Sequence, residues 1–233
     1  MQLIEVSEIG VRASLVRLKS NRAQLEWVMF PMIHLGERAY YKEVEERLAR
    51  CDLVLAEGVD SAIVGALTAA YRAGVHGSDV VAQPLFDESP ATGHLAVENA
   101  DVSGEQFNAA WRRMPLGLRI GVPILAPLVG LWLRYVANPE QWHPALQTDD
   151  LPTNEEVLVE GQMPELFDLL LNRRNQHLFH QIDQVQNRWA SEARTVGVAW
   201  GARHIGAVAG YLSDRWDYFS ASADWITVFD YTK

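Results

Sequence analysis

The sequence predicts an α/β fold: a central mixed, largely parallel sheet flanked by helices, in one domain over residues 1–233 with a mainly helical insertion at about 103–165. Three observations carry this. A strand-to-histidine unit occurs twice. Trp27-Val-Met-Phe-Pro-Met-Ile runs into His34, and Val196-Gly-Val-Ala-Trp200 runs through Gly201 to His204, each with a helix pattern behind it. Both runs are almost unbroken in apolar residues, the signature of strands covered on both faces. Finally, the strand, helix and strand between Trp27 and Ala56 have the spacing of a β-α-β unit, which implies parallel strands and a right-handed crossover.

Taken in order, residues 2–18 read as two short strands around Glu8-Ile9-Gly10, a hairpin. After the strand Trp27 to Ile33, Gly36 to Arg50 is helical, with Tyr40, Tyr41, Val44 and Leu48 on one face. Leu53 to Ala56 is the next buried strand and delivers Glu57-Gly58. Ser61 to Ala73 is Ala-rich and helical, and Val80-Val-Ala is a further short strand. Ser103-Gly-Glu-Gln106 is a capping box opening a helix to about Met114, whose Trp111, Arg112 and Arg113 read as a solvated end. Thr153-Asn-Glu-Glu156 is a second capping box. A long helix from Pro164 to about Ala193 carries an apolar stripe of Leu166, Leu169, Leu170, Leu178, Ile182, Val185 and Trp189. Two terminal strands follow His204 and its helix: Tyr218-Phe-Ser-Ala-Ser and Trp225-Ile-Thr-Val-Phe-Asp-Tyr.

The most apolar stretch is 116–137, punctuated by Pro123 and Pro127. Its uncharged run between Arg119 and Arg134 is shorter than the ~20 residues that cross a bilayer. The reading favoured is a buried helix pair or hydrophobic lid, ahead of an interfacial membrane contact.

The 233 residues carry a net charge of -10, with 48% hydrophobic and 21% charged residues. That balance is globular, and an acidic chain lacks the electrostatic footprint of a nucleic-acid binder. Cys51 is the only cysteine, so no intrachain disulfide forms; between a helix and an apolar strand it reads as a small buried hydrophobe. The N-terminus has no basic segment followed by a long apolar one, so a cytoplasmic location is expected. Self-association is left open.

In an open α/β sheet, ligands bind beyond the carboxyl ends of the strands. His34, Glu57 and His204 fall at such ends. Two imidazoles and a carboxylate suit a divalent cation, which lowers the pKa of bound water. Each histidine is also compatible with a hydrogen-bonded structural role. On the long helix, Arg173 and Arg174 point about 100° apart, so one can face the sheet, to bind a carboxylate or an oxyanion, while the other faces water. His177 and His180 share a face and read as surface residues; His76, His94 and His143 lie in loops. Gly201 reads as a position of positive φ or of close substrate approach.

These residues resemble the motifs of the TraB/PrgY/GumN family, within the Tiki-type hydrolase superfamily. The order matches: a strand leading to His34, a helix, an apolar strand ending in Glu57, Arg174-Asn175 on a long helix, and Gly201-Ala-Arg-His204-Ile-Gly206 before a last helix. The similarity covers about residues 27–60 and 164–215. The first motif departs from the family's Gly-x-x-His, because Pro31 stands at the glycine position. The resemblance implies a metal-dependent hydrolase, protease-like in some members, with manganese, cobalt or zinc held by His34, Glu57 and His204. Arg174 would hold substrate or stabilise negative charge, Asn175 and Gly201 would complete substrate binding, and Glu57 would be a ligand or a general base. The substrate would be a peptide or peptide-like metabolite. The rival expectation is a non-catalytic module binding a hydrophobic ligand or small peptide in the same cleft.

Overall fold

The computed structural model describes residues 1–65, 80–83, 96–135 and 164–232. Nine strands are seen among them: β1 (Ile4–Ser7), β2 (Gly10–Ser20), β3 (Glu26–Met32), β4 (Leu35–Glu37), β5 (Leu53–Ala56), β6 (Val80–Ala82), β7 (Ala96–Asn99), β8 (Thr195–Gly201) and β9 (Tyr218–Asp230). The helices are α1 (Arg38–Leu48), α2 (Gly104–Arg112), α3 (Leu116–Tyr135), α4 (Pro164–Phe167), α5 (Arg173–Trp189) and α6 (Ala202–Trp216). A π-helical segment, Asp168–Asn172, joins α4 to α5.

The fold is α/β, built on a seven-stranded mixed sheet. At its heart β3, β8, β5 and β7 lie side by side and run parallel. β2 is antiparallel to β3 and pairs with β9 along its whole length. One edge of β2 is thus filled by β9, so β1, over Gly10–Ala13, and β3, over Val16–Leu18, share the other. β4 and β6 form a separate two-stranded ribbon.

Periodicity explains the covered strands. In β3, Trp27 to Met32 are all buried, and so are Val196 to Trp200 in β8 and all four residues of β5. The predicted face of α1 is the buried one, Tyr40, Tyr41, Val44 and Leu48. Pro31 sits within β3 without breaking it. Its carbonyl accepts from the Tyr40 hydroxyl at 3.1 Å. A residue's N–H and C=O leave a strand on the same side, so the missing donor also points away from β8 and the ladder loses nothing there. Next along, Tyr41 donates to the Ile33 carbonyl at 2.7 Å. The two tyrosines tie the exit of β3, and with it His34, to α1.

Several expectations are corrected. The chain end is one 13-residue strand and not two. β2 offers one continuous edge, and two register shifts absorb the mismatch that a turn near Ala223 would otherwise take up. β7 was not anticipated, because all four of its residues are exposed and carry no apolar run. Residues 116–135 form a single helix through Pro123 and Pro127 and not a broken pair. Prolines four apart remove bonds from one face only, leaving the others to continue the helix. That helix is not fully covered: Leu116, Ile120, Ile124 and Leu125 are 51–65% exposed. No helix of the described residues is long and apolar enough to cross a membrane. Trp111 is buried, not solvated, in a second apolar cluster with Phe107, Met114, Leu166 and Leu169; Arg112 and Arg113 are exposed as expected. The Ser103 capping box is formed. Most of the predicted 61–73 helix, the Thr153 box and the histidines at 76, 94 and 143 fall outside the described residues.

A buried polar node joins α5 to the sheet. Trp27 Nε1 donates to Gln186 Oε1 at 3.1 Å, and the Tyr218 hydroxyl lies 3.0 Å from the same oxygen and 2.9 Å from the Leu25 carbonyl. In Gln186→Leu the tyrosine keeps Leu25 as acceptor, while the buried indole N–H loses its carboxamide acceptor and keeps only the Tyr218 oxygen. Urea unfolding is expected to show a loss of about 1–3 kcal/mol.

Candidate active site

Four parallel strands bring their carboxyl ends to one edge, and each delivers a polar residue there. β3 leads to His34, β5 to Glu57, β7 to Asp101, and β8 through Gly201 to His204 in the first turn of α6. Above this edge runs α5, and its second and third residues, Arg174 and Asn175, reach down into it. Arg173 points away and pairs with Asp168 at 2.6 Å. The two arginines therefore divide between site and solvent, as their angular spacing requires.

Glu57 is the hub. Its Oε1 accepts from Arg174 NH2 at 2.5 Å, and its Oε2 accepts from the Gly201 backbone N–H at 2.5 Å. Arg174 also donates through Nε and NH2 to Asp101 at 3.0 and 2.6 Å. The guanidinium lies over the buried Trp200 ring, 5.3 Å from its centroid. The His204 ring meets Trp200 edge-on at 5.1 Å. Nδ1 of His204 is 2.7 Å from Asn175 Oδ1. A carboxamide oxygen only accepts, so with this amide orientation Nδ1 carries the proton and Nε2 presents its lone pair. The Trp200 indole N–H is buried with no partner among the described residues.

The electrostatics follow from these contacts. Burial pushes the Glu57 carboxyl up, but Arg174, His204, the Gly201 N–H and His34 together outweigh it and hold the group at about 2. Burial lowers His204 to about 4, with Arg174 and His34 adding to the shift and the carboxylates of Glu57 and Asp101 only partly opposing it. At neutral pH the site therefore holds an ionised Glu57 and a neutral imidazole. Burial works against the Arg174 charge, and its bonds to Asp101 and Glu57 raise its pKa above the ordinary value nonetheless.

Of the predicted residues, Glu57, Arg174 and Gly201 form one hydrogen-bonded group and Asn175 and His204 a second, and the two meet at the Trp200 ring. His34 is exposed at the neighbouring strand end, near enough to influence Glu57 and His204 electrostatically. Two roles differ from expectation. Gly201 has φ -48° and not a positive value; its N–H serves Glu57, and a Cβ there would come within 3.1 Å of the carboxylate. Asn175, expected to complete substrate binding, holds the His204 ring. His177 and His180 lie beside one groove against α2, away from this network. Asp101 was missed. It follows an edge strand and precedes a capping box, two contexts in which an aspartate is unremarkable, and only the loop geometry reveals its partner.

The donors fit the expected metal only in part. His204 suits a ligand, with its second ring nitrogen oriented by an amide oxygen as metal-bound imidazoles commonly are. Glu57 does not, because both oxygens are engaged and the Arg174 cation stands against one of them. No group of three or more His, Cys, Asp or Glu placed to hold a metal ion is found among the described residues. As arranged, His34, Glu57 and His204 do not fit a three-ligand site.

No protein-family model, curated protein or solved structure matches the chain.

Both depressed groups make stability fall in acid. The folded pKa of Glu57 lies below its ordinary 4.5, so its contribution is complete above that pH and is lost as the pH drops through about 2. His204, neutral when folded, loses its contribution as the pH drops from 6.5 through about 4. Urea midpoints measured from pH 7 to 2 are expected to fall throughout, and Glu57→Gln to flatten the decline below pH 4.5, relative to wild type.

Proposed function

We propose that this chain is a hydrolase acting on an amide or ester bond in a peptide or peptide-like metabolite. The observation that supports it most directly is the meeting of an ionised carboxylate, a part-buried guanidinium and an oriented neutral imidazole at the carboxyl edge of parallel strands. Perturbed titratable groups converge in this way at reactive sites. In the proposed reaction Arg174 stabilises the negative charge that develops on the substrate carbonyl oxygen. His204 Nε2 accepts a proton from the attacking water and returns it to the leaving group. Glu57 keeps Arg174 and the Gly201 turn in place, and His34, exposed beside them, contacts the substrate. The expected compartment is the cytoplasm, where the buried Cys51 thiol stays reduced.

One observation favours a second reading, a binding module without turnover. Glu57 and Arg174 are largely satisfied by one another, by Asp101 and by Gly201, a closed arrangement that needs no substrate. A panel of chromogenic peptide amides and esters separates the two, assayed with and without added manganese, cobalt or zinc. The hydrolase reading expects turnover that falls by about 10²–10⁴-fold in His204→Ala and comparably in Glu57→Ala. Equal rates in wild type and both variants would remove the assignment. Saturable binding of a panel member with no turnover under any condition would support the module.

A further inference from the structure

We propose that Asp101 is the positioning residue of this site, holding the Arg174 guanidinium side-on so that the arginine is delivered to Glu57 in one fixed orientation. The inference rests on the hydrolase reading for its role in turnover, and on geometry alone for the clamp.

The carboxylate of Asp101 has no exposed side-chain surface. Each of its oxygens takes one donor from Arg174, Oδ1 from Nε at 3.0 Å and Oδ2 from NH2 at 2.6 Å. Such a two-point bond fixes the plane of the guanidinium as well as its distance. The same NH2 then reaches Glu57 Oε1. A single-point contact to Glu57 leaves the fork free to pivot about that bond; the two-point bond to Asp101 removes the freedom, with a longer 3.4 Å bond from the remaining nitrogen to the Leu170 carbonyl beside it. Trp200, beneath the guanidinium, supports the plane but offers no acceptor to set its rotation.

Asp101 is itself held firmly. Its oxygens also accept from the backbone N–H groups of Gly58 at 3.2 Å and Val102 at 2.8 Å. Its own N–H donates to Asn99 Oδ1 at 2.9 Å, and Asn99 Nδ2 donates to the Gly58 carbonyl at 2.6 Å. The loops after β5 and β7 are thus bound to each other. Their packing leaves no room at Gly104, where a Cβ would meet the Asp60 carbonyl oxygen at 1.6 Å. The residue after Glu57 and the residue that orients its arginine partner therefore move as one body.

A merely structural aspartate would contribute to stability and leave Arg174 unchanged. The test uses the full chain and, first, no substrate. In ¹H–¹⁵N NMR the Arg174 Nε–H is expected to exchange at least about tenfold more slowly than that of Arg173, whose acceptor Asp168 is exposed. Asp101→Asn keeps the volume and removes one acceptor, and is expected to abolish that protection. Unchanged Arg174 exchange in a folded Asp101→Asn protein would overturn the proposal. Should the variant not fold, the wild-type comparison decides it, because Arg174 exchanging as fast as Arg173 would equally overturn it. With a panel substrate that wild type turns over, Asp101→Asn is expected to lower kcat by about 10²-fold while KM changes little. A panel on which wild type shows no turnover would count against the hydrolase reading, and the exchange result would still judge the clamp.

Discussion

The structure depends on how one part-buried carboxylate is satisfied. Glu57 stands at the end of a fully buried strand, where an unpaired charge would cost several kcal/mol. Arg174 supplies the opposite charge and the Gly201 N–H completes the second oxygen. Other features of the chain follow from that need. Gly201 leaves room for the carboxylate, which a Cβ there would crowd. The helix that carries Arg174 must present it inward, and the π segment Asp168–Asn172 ends directly before Arg173. One extra residue in a turn rotates the following helix by about 100°. Without it, Arg174 and Asn175 would leave the face that looks onto the strand ends.

The same network gives His204 its chemistry. Buried against Trp200 and facing a guanidinium, the imidazole is neutral at neutral pH, and Asn175 selects which nitrogen offers the lone pair. The positive charge beside Glu57 belongs to an arginine. The cation that the TraB-type resemblance leads one to expect would compete with Arg174 for the same oxygens. The contacts within the chain therefore hold charge against charge at this strand edge without a metal ion between them.

Much of this was legible in the sequence. The buried strands and α1 announced themselves because one burial pattern dictated every residue in them. Glu57, Arg174 and His204 were legible because each follows a strand or sits in a helix pair whose angular spacing lets one member face inward. What stayed hidden depended on tertiary context. β7 has no apolar run, since its place is set by pairing with β5 and not by burial. β9 is continuous because β2 is long, a fact about its partner and not about residues 218–230. Asp101 gains its meaning from a loop-to-loop bond spanning more than forty residues, |i−j|=43, to Gly58. Pro31 broke the expected motif, yet its carbonyl and missing N–H face Tyr40 and not the ladder with β8.

Glu57 stays ionised because Arg174, then His204 and the Gly201 amide, hold its charge against the cost of burial. A ¹³C NMR titration of the Glu57 carboxyl carbon tests this most directly. The account predicts the chemical shift of the ionised form down to about pH 3, with titration near 2. A midpoint at the ordinary 4.5 would contradict it.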